Sequence, residues 1–170
     1  MSIFRELGIR GSKDRINEEV IYNIAKAYTL IDNVISGFLS KYDLSPAKFN
    51  ILLMVKHVGE DKGLSQNEIS KLLLVTTSNI TRMIDKLEND KYVERVSQKG
   101  DRRVNLIKIT KKGSDLLDAI WPNYKSMVDK LIGPTLLSSE KNQINKMLTK
   151  FKSIKTKKIY EPIVRTQSIY

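Results

Sequence analysis

The stretch Leu64-Ser65-Gln66-Asn67-Glu68-Ile69-Ser70-Lys71-Leu72-Leu73-Leu74-Val75-Thr76-Thr77-Ser78-Asn79-Ile80-Thr81-Arg82-Met83-Ile84-Asp85-Lys86-Leu87-Glu88 decides the fold. Ser65 and Glu68 have the spacing of a capping box, in which each side chain satisfies the other residue's free backbone amide. That spacing predicts a short helix buried through Ile69, Leu72 and Leu73. Thr76, Thr77 or Ser78 can then cap a second helix ending near Asn89, with Ile80, Met83, Ile84 and Leu87 on one apolar stripe. Its other face carries Thr77, Ser78, Asn79, Thr81, Arg82 and Lys86. A short helix, a tight turn and a second helix with polar donors along one side match what the DNA major groove admits. Helix pairs of this kind also occur as plain scaffolding, so the flanking sequence has to decide.

Immediately downstream, Tyr92–Val96 and Val104–Ile109 are β-rich runs joined by Ser97-Gln98-Lys99-Gly100-Asp101-Arg102-Arg103, which predicts a hairpin with a basic tip. Residues 91–113 hold eight basic side chains (Lys91, Arg95, Lys99, Arg102, Arg103, Lys108, Lys111, Lys112) against two acidic ones, Glu94 and Asp101. Arg102 and Arg103, beside Gly100, are placed to project beyond the globule, where an arginine can enter a narrow minor groove and meet its negative potential. Asp101 has the sign of a phosphate, so it is read as an orienting partner for Arg103 or Arg95.

Further outward, Val20, Ile24, Tyr28, Ile31, Ile35 and Phe38 form one helical stripe between Glu19 and Leu39. Ser45-Pro46 opens a helix that runs to about His57, with a charged turn, Gly59 to Gly63, behind it. Thr110 can cap a fifth helix through Leu116, Leu117, Ile120, Tyr124, Val128 and Leu131, ended by Gly133-Pro134. A sixth carries Leu137, Ile144, Met147, Leu148, Phe151 and Ile154. The fold class is therefore mainly α with a small β-hairpin wing (α+β), a winged helix-turn-helix lobe over residues 45–110 and a helical dimerisation region over 1–44 and 111–155. Residues 156–170, with a Lys pair, a proline and weak periodicity, read as a tail. Three helices with apolar stripes exceed what one small winged domain covers, which predicts a two-fold homodimer with its readers one DNA turn apart.

Composition agrees. Thirty Lys plus Arg against nineteen Asp plus Glu, a net charge of +11, imply an anionic partner, nucleic acid or a membrane surface; the basic segments lack the broad exposed apolar face that membrane binding needs, so no membrane partner is expected. Residues 141–170 add eight basic groups and one acidic one, read mainly as a solvated face and tail. Cysteine is absent, which excludes disulfides, Cys-ligated zinc and thiol redox sensing within the chain. The single histidine, His57, sits in the apolar run from Ile51 to Val58 and reads as a helix-end residue, not as the centre of a metal site or a catalytic triad. Charges interrupt the N-terminal residues where a signal peptide would be apolar, and no uncharged run is long enough to span a bilayer, so a soluble cytoplasmic protein is expected. With no Gly-rich phosphate loop, metal cluster or spaced nucleophile and base, the sequence does not read as an enzyme, and no cofactor is expected.

The segments Leu64–Leu72, Val75–Glu88, Asp101-Arg102-Arg103 and Leu106-Ile107-Lys108-Ile109-Thr110-Lys111-Lys112-Gly113 resemble the multiple-antibiotic-resistance regulator (MarR) family, a likeness extending over about residues 20 to 155. Its most specific part is the Asp-Arg-Arg wing followed by Thr-x-x-Gly. The resemblance implies a regulator, commonly a repressor, that binds a pseudo-palindromic double-stranded operator as a homodimer through its first, fifth and sixth helices. It implies that Arg103 enters the minor groove and that positions from Thr76 to Arg82 read the major groove. Together, the residue reading and the resemblance nominate as DNA contacts Ser65, Thr76, Thr77, Ser78, Asn79, Thr81, Arg82, Lys86, Arg95, Lys99, Asp101, Arg102 and Arg103. A small aromatic or phenolic effector is implied as well. Tyr28, Phe49, Trp121 and Tyr124 are its candidate lining and Lys48 or Arg95 its counter-charge, although aromatics at such spacing are more often core or interface. Lys91 departs from the family, which often has glycine there. The competing reading is a winged-helix scaffold for protein partners, which steep salt dependence of DNA binding would exclude.

Overall fold

The structure, a computed structural model, describes residues 15–73, 76–98 and 101–151. Its elements are α1 (Ile16–Leu39), a 3₁₀ turn (Ser40–Tyr42), α2 (Pro46–His57), β1 (Leu64–Ser65), α3 (Gln66–Leu73), α4 (Thr77–Asn89), β2 (Val93–Gln98), β3 (Asp101–Ile109), α5 (Lys111–Ile132) and α6 (Ser138–Lys150). Among the described residues, no helix is long and apolar enough to cross a membrane. The chain divides into two compact units between Pro122 and Asn123.

In the first unit, local chemistry sets the helix starts. The Ser45 hydroxyl accepts from the Lys48 amide at the head of α2, with Pro46 in the first helical position. At α3 the capping box is present: the Ser65 amide donates to Glu68 Oε2 at 2.8 Å, and the Glu68 amide donates back to Ser65 Oγ at 3.3 Å. The Ser65 hydroxyl and amide stabilise the ionised carboxylate and hold Glu68 below its usual pKa. His57 ends α2 and is exposed, as the apolar run before it predicts.

Long-range pairing changes the sheet. In place of a plain hairpin there are three antiparallel strands in the order β1-β3-β2, because Leu64 and Ser65 pair with Ile107 and Leu106. Both hairpin strands also outrun their β-rich cores. Pairing continues through Ser97 with Asn105 and, past an irregularity, Gln98 with Asp101, so polar residues expected in the loop extend the ladder. Lys99 and Gly100 lie outside the described residues.

The core packs Phe49, Ile51, Leu52 and Val55 of α2 against Ile69 of α3, Ile80, Ile84 and Leu87 of α4, Ile107 of β3, and Leu117 and Ile120 of α5, each at most 2% exposed. Leu72, expected inside, is 48% exposed: eight residues of α3 give an inward stripe one side chain wide, and Ile69 and Leu73 occupy it.

Between α4 and β2 the chain reverses at Lys91, whose φ of 61° lies in the left-handed region. A non-glycine residue there carries about 1–2 kcal/mol of strain, partly offset by the greater unfolded-state freedom of glycine. Lys91→Gly is therefore expected to raise stability by about 0.5–1 kcal/mol, a rise of about 1–4 °C in thermal midpoint. A fall in midpoint would mean that the lysine side chain holds the turn.

In the second unit, α6 starts with the Glu140 carboxylate accepting from the Leu137 amide at 2.7 Å. Lys125 and Asp129 pair at 2.6 Å along the end of α5, which stops at Ile132 as Gly133-Pro134 predicts. The sixth helix is described over Ser138–Lys150; Ile154, the last residue of its apolar pattern, lies outside the described residues.

Candidate nucleic-acid interface

With Ile80, Ile84 and Leu87 locked inward, the helical repeat turns Ser78, Asn79, Arg82 and Lys86 of α4 outward, and all four are exposed. Thr76 and Thr77 are exposed at the helix head. Thr76 occupies the cap position in extended geometry (φ −64°, ψ 145°) but makes no side-chain capping bond; its hydroxyl lies 3.4 Å from that of Ser78. The first turn of α4 holds no acidic residue. A helix head of that kind keeps its positive dipole end and its amide donors for an outside acceptor.

Two nominated residues do structural service. Ser65 is half-buried in β1 and its hydroxyl donates to Glu68 at 2.7 Å. Thr81 is half-buried; its hydroxyl reaches the Thr77 carbonyl at 2.9 Å and Gln66 Oε1 at 3.2 Å, which ties α4 to the head of α3. Gln66 was missed from the sequence. The pattern that exposes it is its place directly after the Ser65 cap, facing the side of α4 that carries Thr81.

Arg95 is engaged by the reader helix. Its guanidinium lies 2.5 Å from Asp85 Oδ1 and also pairs with Glu88, and its backbone N–H donates to Glu88 Oε1 at 3.2 Å. Burial opposes the charged form of Arg95, but hydrogen bonds and charge from Asp85 and Glu88 outweigh it and raise the pKa. The backbone of Asp101, Arg102 and Arg103 opens β3; their side chains, and all of Lys99, lie outside the described residues. Asp101 as an orienting partner for Arg103 or Arg95 is therefore outside them as well.

The wing is joined to α5 by a compact set of contacts. The Thr110 hydroxyl donates to the Lys91 carbonyl at 2.7 Å and accepts from the Gly113 amide at 3.1 Å. Lys112 donates to the Asp90 carbonyl at 2.9 Å, with its ammonium 4.7 Å from the centre of the Tyr92 ring. Lys56 of α2 pairs with Asp118 of α5 at 2.7 Å, and that hydrogen bond lowers the Asp118 pKa.

The residues nominated for an effector are scattered in character. Phe49 is 1% exposed and belongs to the core, whereas Tyr28 and Trp121 are 67% and 47% exposed. Lys48 pairs with Asp90 at 3.5 Å. In the second unit Tyr124 is half-buried, and burial raises its pKa. No group of three or more His, Cys, Asp or Glu side chains is placed to hold a metal ion among the described residues.

Residues 42–104, from the 3₁₀ turn into the wing, match the model of the MarR family. The transcriptional regulator MhqR of Bacillus subtilis, named as helix-turn-helix type, is 33% identical over 117 residues, which cover 69% of this chain and 77% of MhqR. The chain belongs to the MarR family.

Among solved structures, S. aureus MepR in complex with DNA superposes with a TM-score of 0.69 at 25% identity, covering 78% of this chain and 95% of that one. The transcriptional regulator BldR of Sulfolobus solfataricus gives 0.69 at 26% identity, covering 82% and 99%. MarR proteins are helix-turn-helix transcriptional regulators, so this chain is a transcriptional regulator and not an enzyme, as its motifs predict. Regulators of this family generally need no cofactor and bind small-molecule effectors.

Proposed function

We propose that the protein is a cytoplasmic homodimeric repressor that binds a pseudo-palindromic double-stranded operator and is released by a small aromatic effector. In this reading residues 45–110 form the DNA-binding lobe, 1–44 and 111–155 supply dimerisation helices, and 156–170 form a tail. The observation that carries it is α4: an exposed row of Ser78, Asn79, Arg82 and Lys86, behind a helix head without acidic residues, followed directly by the strongly basic wing. Donors on a helix face suit base edges, and the amides of the helix head suit a phosphate. Arg103 at the wing is assigned to the minor groove. MepR, solved bound to DNA, shares the fold at 25% identity and supports the assignment.

Dimerisation is supported by apolar side chains that one protomer leaves uncovered. On α1, Val20, Ile24, Tyr28 and Ile31 are 37–67% exposed, and on α6 and its C-cap Ile144, Met147, Leu148 and Phe151 are 38–58% exposed. A soluble protein rarely leaves faces of that kind to water. Release by an effector requires different affinity for the DNA-competent and incompetent shapes, and the exposed rings of Tyr28 and Trp121 offer stacking surface to an aromatic anion.

The test is fluorescence anisotropy with the duplex immediately upstream of the gene against a scrambled duplex across a salt series. Tight, salt-sensitive binding that prefers the upstream duplex is expected. Arg103→Ala is expected to weaken operator binding about tenfold to a hundredfold with the dimer and melting curve intact. Substitution of Thr77 or Ser78 is expected to change sequence preference more than affinity for random DNA. Binding indifferent to both sequence and salt would reject the reading.

A further inference from the structure

A short turn joins the reader helix to the wing; the base of the wing packs on the helix through buried Val93 and Ile107, and further along β2 one charged side chain ties strand to helix. The sheet order β1-β3-β2 leaves β2 as an edge strand, with one row of its backbone groups facing away from β3. Arg95, opposite Ile107 in the ladder, sends its N–H out of the sheet to Glu88 Oε1 at 3.2 Å. Its guanidinium turns the same way and grips both Glu88 and, at 2.5 Å, Asp85. Asp85 and Glu88 lie one helical turn apart on the flank of α4, beside the exposed row of Ser78, Arg82 and Lys86. The grip is partly sheltered, with the Arg95 side chain 22% exposed. A planar guanidinium that spans two carboxylates, with its own main chain held by one of them, fixes both the distance and the twist between strand and helix. No other ion pair joins β2 to α4 among the described residues.

We infer that Arg95 is a positioning residue: through Asp85 and Glu88 it registers the wing against the reader helix, so that both meet the duplex as one rigid body. The inference rests on the proposed DNA-binding mode and deepens it. Arg95 then contributes to operator affinity without touching DNA, and the two carboxylates, whose sign disfavours phosphate, are kept for their hold on the wing.

Asp85→Ala/Glu88→Ala separates this role from plain electrostatics. Removing two negative charges beside a DNA-binding face raises affinity if charge alone matters. Release of the wing lowers it. Anisotropy with the operator duplex is run on the full chain for the wild type, Asp85→Ala/Glu88→Ala, Arg95→Gln, and each of these with Arg103→Ala, after a melting curve confirms folding. The expected result is at least fivefold weaker binding for Asp85→Ala/Glu88→Ala and for Arg95→Gln. Arg103→Ala should also cost a much smaller factor in those backgrounds than in the wild type, because a wing out of register has already lost its contact. Unchanged or tighter binding by Asp85→Ala/Glu88→Ala, with Arg103→Ala costing its full wild-type factor, overturns the inference. If Arg103→Ala costs nothing in the wild type, the minor-groove assignment falls, and the affinity of Asp85→Ala/Glu88→Ala alone still decides for or against the clamp.

Discussion

Gly113→Ala is expected to lower stability by about 3 kcal/mol, a drop of about 6–12 °C in thermal midpoint. Helix propensity predicts the opposite, since alanine in place of a helical glycine is worth about 1 kcal/mol of stabilisation. Close approach decides the sign. A Cβ at Gly113 would stand 2.1 Å from the Tyr92 carbonyl oxygen and 3.0 Å from Ile109 Cγ1. Backbone, not a flexible side-chain end, is the obstacle. That carbonyl is pinned, because it accepts from the Thr110 amide at 3.1 Å in the joint where α4, β2 and α5 converge. To make room, α5 must withdraw from the wing, which also stretches the Thr110 bonds to Lys91 and Gly113. Operator affinity should fall with stability. A melting curve at or above the wild type's would show that α5 moves aside without cost, and would remove the joint as a rigid element.

The parts legible in the sequence are those set by neighbours three or four residues apart. The Ser65–Glu68 capping box, the Ser45-Pro46 start and the stripe of Ile80, Ile84 and Leu87 each depend on chain geometry alone, and each stands as read. The same locality made the outward row of α4 readable. What escaped were pairings across long separations. Two residues, Leu64 and Ser65, are too few for a strand pattern, and they become a strand only because β3 offers Ile107 and Leu106 as partners. From sequence Arg95 reads as a wing cation, a partner for Asp101 or a counter-charge for an effector; nothing local to it says that Asp85 and Glu88 arrive from the helix before it. The polarity of Thr81 fits the outward residues, whereas its hydroxyl serves the contact with Gln66.

A chain cut after Leu131 is expected to be monomeric or aggregated and to lose about 10²- to 10⁴-fold in operator affinity, the range gained when a second linked site binds intramolecularly. The cut removes α6 entirely, and with it Met147, Leu148 and Phe151, which are 58%, 46% and 50% exposed in one protomer. Residues so apolar and so uncovered gain by burial at roughly 25 cal/mol per Å². The core around α4, where Ile80, Ile84 and Leu87 are fully buried, belongs to the first unit, which ends at Pro122, before the cut. The shortened chain should therefore retain a cooperative melting transition from its first unit while sedimenting as one protomer at low concentration. Half an operator should bind it about as well as a whole one, because a lone reader helix gains nothing from the second half-site. A shortened chain that remains a dimer and distinguishes whole from half operator would place the interface on α1 and the earlier part of α5 alone.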